Sequence, residues 1–277
     1  MAAADVLVST QWVADHASDA KIKLVEVDVD TNAYAEGHPA GAIAWSWTSQ
    51  LQDQTRRDII AKADLEKLLG ASGISNDDTI ILYGDNNNWF AAYAFWILEM
   101  YGHGSLKLMD GGRKKWLDES RPTTKEAPAL TPASYTASEP NLGLRAMQGQ
   151  VRGQVGRADG ALVDVRSPAE YSGEILAPPG LSETAQRGGH IPGAANIPWG
   201  QAVKEDGTFK SAADLRQLYD AKGVSADKDV IAYCRIGERS SHTWFALKHL
   251  LDSAKVRNYD GSWTEWGSMI DVPVEKP

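Results

Sequence analysis

Short apolar runs of four or five residues recur along the chain, separated by stretches in which apolar positions fall three and four apart. Residues 24–28, 79–83 and 106–109 read as buried strands, and 62–72 and 89–101 read as helices. The same order returns later, with strands at 161–165, 230–233 and 256–259 and helices at 212–222 and 240–251. Strands that alternate with helices predict an α/β architecture, a mostly parallel sheet with helices on both faces. In such sheets ligands sit beyond the carboxyl ends of the strands, so the loop after each strand is where chemistry is expected.

The two sets are copies of one pattern. Tyr83 and Tyr233, Asp110 and Asp260, Gly111 and Gly261, and Trp116 and Trp266 each lie 150 residues apart. His38, Gly41 and Ala42 recur 152 residues later as His190, Gly193 and Ala194. Residues 25–28 match 163–166 at an offset of 138; the growth from 138 to 152 places an insertion of 14 residues in the second copy, most simply in the Pro/Gly-rich stretch 174–189. Two copies at so long a period mean a duplicated globular domain and not a solenoid. Residues 121–141 carry four prolines among Ser, Thr and Ala with no apolar periodicity, the composition of an extended linker. The expected domains are 1–122 and 142–277, joined by a linker at 123–141.

Composition narrows the class. With 277 residues, 43% apolar and 23% charged, the chain can fill two cores and is not disordered. Its one cysteine cannot form an intramolecular disulfide, and nothing points to an oxidising compartment. The longest apolar run, 89–98, is about half of the ~20 residues that a membrane span needs. Residues 1–5 lack the basic and apolar regions of a signal peptide. A net charge of −9 argues against nucleic acid, which calls for a basic face. The expectation is a cytoplasmic protein that acts on a small molecule, with neither membrane nor nucleic acid as partner.

Cys234 directly follows the strand at 230–233 and stands before a helix, with Arg235 and Arg239 close in sequence. A cysteine at a helix N-terminus faces unpaired N–H groups and the positive end of the dipole, which predicts a low-pKa thiolate at the floor of an anion cradle. Four residues separate Cys234 from Arg239, one fewer than a phosphate-handling cysteine loop needs. The smaller ring of donors suits a single terminal sulfur on the cysteine, a persulfide, better than a phosphate.

On these residues the chain resembles the two-domain rhodaneses, thiosulfate sulfurtransferases, of the actinobacterial type, over nearly its whole length. The block from Cys234 to Ser240 resembles the active loop of that branch. His190, Ile191, Pro192, Gly193 and Ala194 match a family loop that the first copy carries in altered form as His38, Pro39, Ala40, Gly41 and Ala42, and residues 259–266 fit the C-terminal signature. In that family the N-terminal copy lacks the cysteine, and here Gly84 stands at the place of Cys234. The resemblance implies two tandem rhodanese-like domains and a sulfurtransferase. Sulfane sulfur would move from thiosulfate to cyanide or a thiol, that of a reduced protein included, through a persulfide on Cys234, with sulfite released and no metal or organic cofactor.

Arg235, Ile236, Gly237, Glu238, Arg239 and Ser240 are then the substrate-binding loop. Arg235 matches thiosulfate-type loops and Ile236 departs from them, so 3-mercaptopyruvate is the alternative donor; a sulfur-carrier module without turnover is another. Glu238 would oppose a dianion and is expected to pair with an arginine. Glu170 stands where animal members have a substrate-binding arginine, so Arg187 is expected to bind the sulfonate instead. Asp164 and Arg166 are expected as a buried ion pair, and His38 and His190 as groups that hold turns.

Overall fold

A computed structural model describes residues 6–29, 31–180 and 185–277. Residues 1–5, read above for a leader, and 181–184, within the expected insertion, lie outside the described residues. The chain divides after Asn141 into two compact units: one also takes in Glu205–Thr208, and the other comprises Leu142–Lys204 and Phe209–Pro277. Among the described residues no helix is long and apolar enough to cross a membrane.

The first unit is built on five parallel strands, β1 (Leu7–Val8), β2 (Ile22–Asp28), β3 (Ile43–Ser46), β4 (Thr79–Tyr83) and β5 (Leu106–Met109), in the order β1-β5-β4-β2-β3. Its main helices are α1 (Thr10–His16), α2 (Thr31–Glu36), α3 (Lys62–Ala71), α4 (Trp89–Met100) and α5 (Gly112–Asp118). Side chains alternate across a strand. Ile81 and Tyr83 accordingly pack with Val13 of α1 and Trp116 of α5, while α4 lies along β2, β4 and β5. Ten of the twelve residues of α4 are buried, as a helix that is apolar all round must be. Each large apolar side chain there contributes about 1.5–3 kcal/mol by leaving water. Residues 123–141 run along this unit: Thr124 and His38 exchange backbone hydrogen bonds, and Ala133 and Ser138 donate to the carbonyls of Gly70 and Tyr101.

The second unit repeats the plan with parallel strands β6 (Gly160–Asp164), β7 (Ala195–Asn196), β8 (Asp229–Tyr233) and β9 (Val256–Tyr259), in the order β7-β6-β8-β9. A lone parallel bridge from Arg145 to Asn258 on β9 stands where β1 pairs with β5 in the first unit. The helices are α6 (Gln148–Gln154), α7 (Pro168–Ser172), α8 (Ala212–Asp220), α9 (Glu238–Phe245) and α10 (Ser262–Trp266). Ile231 and Tyr233 pack with Val151 of α6 and with Trp263 and Trp266 of α10, and α9 lies along β8 and β9. The sequence pattern placed the start of α9 at residue 240; it starts two residues earlier, because Gly237 takes φ +101° and caps it. α9 then runs directly into a wider π turn, Ala246–Leu250.

Both units hold one turn in the same way. Tyr34 stacks on His38 and Tyr171 on His190, each pair at 3.6 Å. Nδ1 of His38 bonds the Tyr34 carbonyl at 2.8 Å and Nδ1 of His190 bonds the Tyr171 carbonyl at 2.9 Å, which is the turn-holding role expected of both.

Candidate active site

β8 ends at Tyr233 and α9 begins at Glu238, so Cys234 sits on a four-residue bridge at the carboxyl edge of the sheet. Cys234 is fully buried, with Arg235 and Ile236 at 7% and 8% exposure. The bridge is fixed from beneath by α10. Ser262 accepts the Cys234 N–H at 3.0 Å, Trp263 N donates to the Cys234 carbonyl, and Thr264 donates to the Arg235 carbonyl through its N–H and its hydroxyl. Ser262 holds φ +52° at the place matching Gly112, which has φ +56°.

A backbone donor points at the sulfur: Gly237 N–H lies 3.1 Å from Cys234 Sγ. Asn258 on β9, with no exposure, holds that donor in place by giving Nδ2 hydrogen bonds to the Gly237 carbonyl at 3.1 Å and to Ser241 Oγ at 2.9 Å. Its Oδ1 accepts from Ser240 Oγ at 2.6 Å, and that hydroxyl stands 3.6 Å from Sγ. The thiol itself donates to Glu238 Oε2 at 3.3 Å.

These contacts bear on four expectations. Burial pushes the Cys234 thiol above its ordinary value, the Glu238 charge adds to this, and Arg239 and Ser240 oppose without prevailing, so the low-pKa thiolate is not found. The Arg239 fork, expected at the substrate, meets a carboxylate. Its two terminal nitrogens clamp Glu170 at 2.9 and 3.0 Å, and only its charge reaches the sulfur. Glu238 has the arginine partner expected of it, Oε1 to Arg239 Nε 3.8 Å, while Glu170 is that arginine's main partner. Arg187 does not bind a sulfonate: its guanidinium is spent on the carbonyls of Trp266, Gly267, Met269 and Val272.

Glu170 thus supports Arg239. Burial alone would raise its carboxyl, and the Arg239 guanidinium outweighs that and holds it low. Glu170 also forms a capping box with Ser167 at the start of α7, with Pro168 in the first turn. Asp164 and Arg166 form the expected buried pair, Arg166 Nη2 to Asp164 Oδ2 2.6 Å, both without exposure. Asn258 and Ser262 were missed, though both lie in or beside the signature at 259–266.

Comparison with known proteins agrees with this geometry. The model of the rhodanese-like domain matches residues 9–119 and again 147–269. A protein of Haloferax volcanii, named a candidate thiosulfate sulfurtransferase, is 57% identical over 99% of this chain and 97% of its own length. The sulfur carrier protein TtuD of Thermus thermophilus is 50% identical over 98% of this chain and 97% of its own. Among solved structures, an anaerobic ergothioneine biosynthesis enzyme from Chlorobium limicola, in complex with trimethyl histidine, superposes with a TM-score of 0.87. That likeness covers 98% of this chain and 70% of the other at 23% identity, and is one of fold alone. Two matched domains, a duplicated sheet order and a single cysteine at the sheet edge of the second copy agree: the chain belongs to the rhodanese-like family.

Proposed function

We propose that the protein is a thiosulfate sulfurtransferase that works by double displacement on Cys234. The cysteine sulfur attacks the outer sulfur of thiosulfate, the donor's S–S bond breaks, and sulfite leaves with the electron pair. Cyanide or a thiolate then takes the outer sulfur and Cys234 is released. The observation that carries this reading is the Gly237 N–H aimed at Sγ from 3.1 Å, in a loop too short to wrap a phosphate. A fixed backbone donor stabilises negative charge on sulfur without reorganising during the reaction. The names of the relatives from Haloferax and Thermus support sulfur handling, the second as a carrier.

The test is thiocyanate formation from thiosulfate and cyanide, beside Cys234→Ala and a parallel assay with 3-mercaptopyruvate. Turnover with thiosulfate that vanishes in the variant is expected. Turnover with 3-mercaptopyruvate alone would move the donor, and turnover with neither would leave a carrier fed by a partner protein.

A further inference from the structure

A carboxylate buried against a buried thiol is costly unless it has work to do or is fully paired. Glu238 has 3% exposure, and its Oε2 is 3.3 Å from Cys234 Sγ. The groups about the sulfur are Arg235 on the bridge, Arg239 and Ser240 on α9, Asn258 on β9, Ser262 on α10, and Glu170 of α7 behind Arg239. Ser240 gives its hydrogen to Asn258 and Ser262 gives its own to the Tyr259 carbonyl at 2.7 Å, while Gly237 N–H already donates to the sulfur. Glu170 is held in the Arg239 fork. Of these groups only Glu238 is a base within reach of the thiol proton. The matching position in the first copy is Asn88, an amide, which accepts the Gly84 N–H at 2.9 Å.

We propose that Glu238 is the proton acceptor for Cys234 in the first half-reaction and returns the proton in the second. This rests on the sulfur-transfer reading above. As the thiol proton passes to Oε2, the electron pair left on sulfur forms the bond to the donor's outer sulfur, and the pair of the broken S–S bond departs with sulfite. When an acceptor nucleophile takes the outer sulfur, Cys234 leaves as a thiolate and recovers its proton from the Glu238 carboxyl. No oxidant or reductant enters. The same carboxylate disfavours a resting thiolate, so the nucleophile stays protonated until a donor is in place.

Single-turnover sulfite release from thiosulfate and the ultraviolet absorbance of the thiolate, both followed across pH, test this with Glu238→Gln and Glu238→Asp. In the glutamine variant the thiolate should form at lower pH than in the parent, yet sulfite release at neutral pH should fall about a hundredfold. The deficit should close at alkaline pH, where the thiolate forms unaided. The aspartate variant, its carboxylate one methylene further from the sulfur, should fall between. Neutral-pH release in Glu238→Gln that equals or exceeds the parent's, as its more easily formed thiolate would give by itself, would overturn the proposal and leave Glu238 as a repelling charge. If that variant does not fold, parental release at neutral pH in Glu238→Asp would overturn it equally. A parent protein that releases no sulfite at any pH would instead overturn the sulfur-transfer reading, and this proposal with it.

Discussion

The segments that follow β4 and β8 occupy matched places 150 residues apart and have opposite chemistry. After β4, Gly84 leads into α4, whose buried residues are all apolar or aromatic. After β8, Cys234 leads into α9, where Glu238, Arg239, Ser240, Ser241, His242 and Thr243 are all buried. The extreme case is His242: burial pushes its pKa to about 3, and it stacks on Phe209 at 4.5 Å as a neutral ring. Buried polarity is destabilising unless each group finds a partner. The second copy therefore needs Glu170 and Asn258 around its loop, whereas the first, relieved of the chemistry, uses the same helix as core. The charged pair at the sheet edge differs as well. Asp164 and Arg166 of the second copy correspond to Glu26 and Asp28 of the first, where Glu26 draws its arginine, Arg113, from α5 at 3.1 Å.

The sharpest way to break this comparison is Glu170→Ala, which leaves Arg239 buried without its main partner. The second unit should lose about 3–5 kcal/mol in denaturant unfolding. Asp28→Asn addresses the first unit. Burial above all raises the Asp28 carboxyl to about 8, and Oδ2 has no hydrogen-bond partner among the described residues. An acid that keeps its proton longer when folded makes stability fall as pH rises from the ordinary 3.8 to about 8. The asparagine variant should match the parent at the lower end of that window. At the upper end it should be about 3 kcal/mol more stable, roughly half of what the full displacement gives once relaxation is allowed for.

Gly84→Ala should cost about 1–3 kcal/mol, since a Cβ there would lie 2.4 Å from the Val27 carbonyl and 2.9 Å from Asp28 Oδ1. For the same reason Gly84→Cys should add no second persulfide, which mass spectrometry of the sulfur-loaded protein would show. The smallest effect sharpens what the copies share: His38→Gln and His190→Gln should each cost about 1 kcal/mol, nearly equal, in thermal unfolding.

The duplication, the central strands and the place of Cys234 were legible because they rest on fixed offsets and short periodic runs. β1 and β7, two residues each, are too short to carry a period. The acidity of the thiol could not be read, because a helix start and two arginines are visible in sequence and the depth of Cys234 is not. Arg239 and Glu170 are 69 residues apart, and their meeting depends on β6 lying beside β8. The surroundings of Arg187 were hidden for a related reason: a cation three residues before His190 says nothing of how many carbonyls from 266 to 272 converge on it.

The wide turn at Ala246–Leu250 adds no chain length to the second unit. α4 ends at Met100 and the helical run after β8 ends at Leu250, 150 residues on, yet α9 starts at Glu238, one place before the counterpart of Trp89. The offset is 150 on both sides of this run, so the π turn holds no inserted residue and is a local widening of the same length of chain. The carboxylate beside the sulfur and the wide turn thus stand at the two ends of one helical run, and the departure from regular pitch falls at the end away from Cys234.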